Sequence, residues 1–213
     1  DSLSGDEVWS LFRDRSGILW VGTSHSGINK LPANAGQFSL YRNNPGNPAS
    51  LGTNATGAFA EDKRGNIWIA TWGGGLDRFN PVDGTFAHYH HDPENPNSLS
   101  DDLFMAVYVD PYNMVWAGTL GKGLNHLNPA TGRATHYLHD PENPNSLADD
   151  NIAAFLPDKN GGLWVGTFGG VSHFDPNTDS FTNYSNDPAN PSSLSNNTVV
   201  SLYLDSNNIL WIG

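Results

Sequence analysis

Cysteine is absent from these 213 residues. No disulfide and no thiolate metal site can hold the fold, and the cellular compartment is left open. Charge is scarce and one-sided: 15% of residues are charged, with 10 Lys+Arg against 22 Asp+Glu and a net charge of −12. That balance argues against a nucleic-acid partner, because phosphate binding needs a basic face. No apolar run approaches the length of a membrane span, and the first residues do not read as a signal peptide. Any targeting or membrane segment of a parent protein is expected outside this stretch. Helical periodicity is missing as well. Gly or Pro interrupts every stretch before apolar residues can recur at i, i+3, i+4 and i+7, which argues against a helical solenoid.

What is present is a repeat. Ile18-Leu19-Trp20-Val21-Gly22-Thr23 returns around Trp68, Trp116, Trp164 and Trp211, at spacings of 48, 48, 48 and 47. A fixed period of this size is an architecture signal. The second copy reads as four short strands: Thr56 to Asp62, Ile67 to Trp72, Leu76 to Asn80 and Phe86 to Tyr89. The turns between them are Lys63-Arg64-Gly65-Asn66, Gly73-Gly74-Gly75 and Pro81-Val82-Asp83-Gly84, with glycines placed to take positive φ. One such meander buries too little apolar surface to stand alone, so copies must stack. Four strands in about 40–50 residues is the size of a β-propeller blade.

The expected fold is therefore all-β, a single partial β-propeller over residues 1–213. It holds four complete four-stranded antiparallel blades, at about 8–55, 56–103, 104–151 and 152–198, and the first two strands of a fifth at 199–213. This is expected to be a fragment of a larger propeller of about seven blades. Incomplete closure leaves strand edges open, so either missing residues or a second chain completes the ring, and homo-oligomerisation through the edges follows as an expectation.

Comparing copies separates structure from function. Asp14, Asp62, Asp110, Asp158 and Asp205 close each first strand, where a carboxylate can accept backbone N–H groups of the next turn. Ser10, Ala58, Ala106, Ala154 and Ser201 keep one position small. The tryptophans read as blade-to-blade packing. Most histidines obey the repeat, and Lys30, Arg78, His126 and His173 share one strand position. Asp101, Asp102, Asp149 and Asp150 match no defensible Ca²⁺ loop and read as turn caps. No metal or cofactor is expected. The residues after the Gly-Thr pair vary, on the face that also carries the long Pro/Asn linkers. Trp72 and Phe168 place aromatics there, beside glycines, which suits stacking on sugar rings. With His25 and Lys122 they form the candidate ligand site. No catalytic residue is assigned, because no unique acid/base pair of carboxylates or non-repeating His/Glu constellation stands out.

The whole period resembles the two-component regulator propeller repeat. The third copy shows the pattern as Asp110, Val115-Trp116-Ala117-Gly118-Thr119, Gly123-Leu124, Asn128-Pro129, Thr131-Gly132, Tyr137 and Ser146-Leu147. Ala134, Ala70 and Tyr112-Asn113 depart from it locally. The resemblance implies an extracytoplasmic, periplasmic or cell-surface sensor region of a membrane-anchored bacterial signalling protein. It also implies an immunoglobulin-like domain, a membrane helix and a histidine-kinase or diguanylate-cyclase output as the rest of the parent. A small ligand such as an oligosaccharide is the implied partner. A carbohydrate-active propeller lyase or glycosidase, or a structural docking propeller, are the alternatives.

Overall fold

The structure is a computed structural model that describes residues 2–34 and 36–213. Four antiparallel sheets follow one another. The first has β1 Val8–Arg13, β2 Leu19–Thr23, β3 Ile28–Leu31 and β4 Ser39–Tyr41. The second has β5 Thr56–Glu61, β6 Ile67–Thr71, β7 Leu76–Asn80 and β8 Thr85–Tyr89. The third has β9 Phe104–Val109, β10 Val115–Thr119, β11 Leu124–Asn128 and β12 Arg133–Tyr137. The fourth has β13 Ile152–Pro157, β14 Leu163–Thr167, β15 Gly170–Asp175 and β16 Ser180–Tyr184. A two-stranded sheet, β17 Leu202–Leu204 with β18 Leu210–Ile212, ends the order. Strands pair strictly in sequence order within each sheet, as a meander requires.

The tight turns form for local reasons. Gly65, Gly84 and Gly132 take φ of 81°, 74° and 72°. Asn113, which stands where the first, second and fourth copies place glycine, is left-handed at φ 65°, a conformation Asn tolerates better than most residues. Three of the first strands, β1, β5 and β13, carry a bulge that leaves one residue unopposed: Trp9 between Val8 and Ser10, Gly57 between Thr56 and Ala58, and Ala153 between Ile152 and Ala154. The small position beside it faces another small residue across the sheet, as Ser10 faces Gly22, Ala58 faces Ala70 and Ala154 faces Gly166. A Cβ on Gly22 would also lie 2.8 Å from Thr56 Oγ1 of the next blade. Close approach of neighbouring backbones sets this size limit.

The chain divides into two compact units, residues 1–117 with 126–135, and residues 118–125 with 136–213. In the first, Trp20, Ile28, Leu51, Phe59, Ile69 and Phe79 form one core cluster, and Trp68, Leu76, Leu99, Phe104 and Leu127 form another. Trp20 stands edge-on to Phe79 of the following blade at 5.4 Å, so the repeated tryptophan does join blades. In the second unit, Leu147, Ile152, Val165, Val171, Phe181 and Val199 are buried. At about 25 cal/mol per Å² of apolar area, this stacking is the main source of stability. Trp211, on the two-stranded sheet, is 59% exposed.

Candidate functional site

The five strand-ending aspartates act as turn clasps. In every case one carboxylate oxygen accepts two backbone N–H groups of the following turn, as when Asp158 Oδ1 accepts from Asn160 and Gly162 at 2.7 and 2.9 Å. The second oxygen varies in use. Asp14 accepts the Trp20 indole N–H at 2.8 Å, and Asp205 accepts that of Trp211 at 3.1 Å. Asp158 meets His173 Nε2 at 2.7 Å. Asp62 instead accepts the Asn66 amide at 2.8 Å, and the buried Trp68 Nε1 is left without a partner. Burial opposes ionisation of Asp14 and Asp158, but their hydrogen bonds outweigh it and both pKa values lie below the ordinary one.

At the opposite edge of each blade the linkers are built rather than loose. Asp92 Oδ1 accepts Glu94 N, Asn95 Oδ1 accepts Asn97 N, and Ser98 Oγ accepts Asp92 N. His91 Nδ1 closes the loop on Leu99 O at 2.7 Å. Asp140, Asn143, Ser146 and His139 repeat the arrangement. The following residue staples linker to turn. Asp102 Oδ1 accepts His91 N at 2.8 Å, while its carbonyl accepts Gly73 N and Gly75 N. Asp150 treats His139, Gly121 and Gly123 alike. Asp101 and Asp149 cap the next residues. These carboxylates are engaged in turn capping, as the sequence reading expects. The variable turns do share an edge with the linkers, but the linkers' polar groups are largely spent on one another.

An aromatic cluster lies at this edge in the first unit. Trp72 follows β6, bridges to Leu103, and donates its backbone N–H to Ala55 O. Its indole Nε1 lies 3.1 Å from where a Cβ on Gly57 would sit, so glycine at that bulge makes its room. Trp9 packs on Trp72 with ring centroids 4.7 Å apart, and His25 stands edge-on to Trp9 at 6.3 Å. Beside them Ser24 Oγ donates to Glu7 Oε2 at 2.7 Å. Trp9 is 42% exposed. Among the described residues neither the Trp9 nor the Trp72 indole N–H has a hydrogen-bond acceptor.

Of the four site residues expected from sequence, Trp72 and His25 are thus brought together through Trp9. Phe168 and Lys122 belong to the second unit. Phe168 is half-buried and donates its backbone N–H to Asn151 O, and Lys122 is exposed in the turn closed by Thr119 Oγ1. Trp9 was missed, although a signal existed. It stands at the bulge position that Gly57 and Ala153 fill in other blades, and a bulge re-aims its side chain.

A profile described as two component regulator propeller matches residues 2–25, 50–73, 146–169 and 193–213. Four segments of the chain carry the two component regulator propeller repeat. Each matched segment runs from a linker end through the first two strands of a blade and contains its tryptophan. Among solved structures, the extracellular domain of the hybrid two component system BT3049 from B. thetaiotaomicron is similar. It is 21% identical with a TM-score of 0.76, over 100% of this chain and 33% of that one. The corresponding domain of BT4673 from the same organism is 24% identical with a TM-score of 0.76, over 99% and 29%. A virginiamycin B lyase from Staphylococcus aureus is 18% identical with a TM-score of 0.64, over 97% and 69%. The fold is therefore a β-propeller of four-stranded blades, and the chain spans about a third of the extracellular domains it matches. No curated protein matches it.

Proposed function

We propose that this chain is part of the ligand-sensing, extracytoplasmic propeller of a membrane-anchored bacterial signalling protein, and that it passes binding on to a kinase or cyclase output domain without turning the ligand over. The observation that carries the reading is the Trp9–Trp72–His25 cluster. Two indole rings in contact, one of them 42% exposed, sit beside a Glu7–Ser24 pair with both indole N–H groups free to donate. Apolar ring faces with adjacent donors and acceptors suit the alternating CH and OH faces of a sugar, so an oligosaccharide is the ligand class. Phe168 and Lys122, at the equivalent turns of later blades, are proposed to contact the same class of ligand.

The test is a titration of tryptophan fluorescence with a panel of defined oligosaccharides, scored in parallel for products. A saturable change that is lost in both Trp9→Ala and Trp72→Ala is the expected result. Saccharide binding that persists unchanged in both variants would remove the platform. Turnover of a bound sugar would replace the sensor by an enzyme, a role held on a similar fold by the lyase above.

A further inference from the structure

We infer a second binding site, for an oxyanion, in a cleft of about 220 Å³ lined by Arg64, Arg78, Tyr112, Asn113 and Asn128 among others. It lies at the edge opposite the aromatic cluster, where the β5–β6 turn meets the β9–β10 and β11–β12 turns. Three observations converge there.

Two guanidinium groups face one cleft, and among the described residues neither has a carboxylate partner. Arg15 shows the ordinary alternative, paired to Glu61 at 3.1 Å. Asp62, the acid next in sequence, is committed: Oδ1 accepts from Arg64 N and Asn66 N, and Oδ2 from the Asn66 side chain. At the position of Arg78, His126 and His173 turn onto the strand-ending Asp110 and Asp158 at 3.5 and 2.7 Å. Arg78 alone of these three is kept off its aspartate, because Asn66 has taken the oxygen.

Arg78 is also held ready. It is half-buried, with its guanidinium 5.8 Å from the centre of the Trp68 ring. A cation over an indole face is fixed in place while its edge N–H groups remain free to donate. The walls are tied as well: Asn113, left-handed at φ 65°, accepts Lys63 N through its side-chain oxygen at 3.4 Å. Its amide NH₂ is left to donate into the cleft.

Forked guanidinium donors match the paired oxygens of carboxylate, sulfate and phosphate, and such charge-assisted bonds are the strong ones. On a chain of net charge −12, two arginines without counter-charge in one cleft are unexpected unless an anion visits them. The volume lies below the roughly 300–1,000 Å³ that encloses a whole drug-sized ligand. The site therefore takes a single ionised group, carried by a small acid or by an acidic unit of a larger molecule.

The experiment follows the arginine Nε–H signals of the ¹⁵N-labelled chain during titration with galacturonate, galactose 6-sulfate and galactose 6-phosphate. Galactose and sodium chloride at matched ionic strength are the controls. The expected result is a saturable shift of the Arg64 and Arg78 signals with at least one acidic sugar and with neither control. The arms separate carboxylate from sulfate from phosphate. Arg64→Gln, in an exposed turn, and Arg78→Lys, which installs the residue that the first blade uses at this position, should each weaken binding at least tenfold. Shifts that are linear and equal to those with chloride would overturn the proposal, as would binding that survives both variants. Trp72→Ala should leave the titration unchanged. Loss of the shifts in that variant would assign the anion to the aromatic cluster and would also overturn it.

Discussion

In the second blade the buried polar position of the third strand is Asp77, fully enclosed, with Oδ2 accepting Gly52 N at 2.6 Å and Oδ1 accepting His88 Nδ1–H at 2.6 Å. His88 Nε2 in turn meets Pro48 O at 2.9 Å. The fourth blade places Ser172 and Asn183 at the same two positions. Ser172 Oγ accepts Ala148 N at 3.0 Å and donates to Asn183 Oδ1, and the Asn183 amide donates to Ser146 O at 2.8 Å and Pro144 O at 3.3 Å. Both arrangements fasten a linker to the blade that follows it. One does so with an ion pair and the other with neutral groups. In the first, both ring nitrogens of His88 face acceptors, which only the doubly protonated imidazolium can satisfy. The neutral version needs no titrating group. Identical backbone needs can be met by chemistry that senses pH or by chemistry that does not.

The largest expected difference lies in breaking the two clasps. Asp77→Ala strands a buried imidazolium and a backbone N–H, and removing one partner of a buried pair costs about 3–5 kcal/mol. His88 retains some solvent access, with a side chain 20% exposed, so the lower end is expected. Ser172→Ala removes neutral bonds and should cost about 1–2 kcal/mol. Urea midpoints of the two variants measure the gap directly. Equal losses would mean that charge adds nothing in the second blade.

A smaller effect separates the clasps by pH. The bond to Asp77 raises the pKa of His88 above its ordinary value, burial opposes it, and the attraction of Asp77 and the Pro48 carbonyl add to the rise. A raised folded-state pKa gives stability that is fully present below the unfolded value of about 6.5 and is lost as pH climbs through the folded value. Stability should therefore decline from pH 6 upward through that value. The double variant Asp77→Ser/His88→Asn, which transplants the fourth-blade pair, should flatten this part of the curve. A decline of the same size in the double variant would place the pH dependence elsewhere.

Much of this was open to reading in sequence, and the limits are instructive. The tryptophan period, the turn glycines and the strand-ending aspartates each report a local need, so repetition exposes them. The pairing of Asp77 with His88 was also countable, since a turn at Pro81-Val82-Asp83-Gly84 reflects 77 onto 88 across the hairpin. The repeat conceals it, because His88 matches His136 in the next copy and so looks like a feature of every blade. Trp9 belongs to a different kind of miss. Alternation along β1 assumes one residue per register step, and the bulge breaks that count. The rigidity of the linkers was hidden for another reason. Pro, Asn and Ser are the residues of loose loops and also of nested Asx turns, and only the bonds between Asp92, Asn95 and Ser98 tell the two apart.

The smallest expected effect concerns the other edge of the same two blades. In the fourth, Asp158 spends its free oxygen on His173. In the second, Asn66 intercepts the free oxygen of Asp62 and leaves the buried Trp68 indole N–H without an acceptor. A buried donor left unpaired costs about 1–3 kcal/mol, while the half-exposed Asn66–Asp62 bond that replaces it contributes about 1 kcal/mol. Asn66→Ile installs the residue found at the same point before Trp20, where Asp14 does bond the indole. It should release Asp62 Oδ2 to Trp68 and raise stability by about 0.5–1 kcal/mol in urea. A gain in the midpoint could also come from the added apolar side chain, so the deciding readout is hydrogen exchange of the Trp68 indole N–H. That exchange should slow well beyond what the change in global stability accounts for. Unchanged relative protection would show that Asp62 turns to Arg78 instead, and the anion titration of the same variant would then weaken.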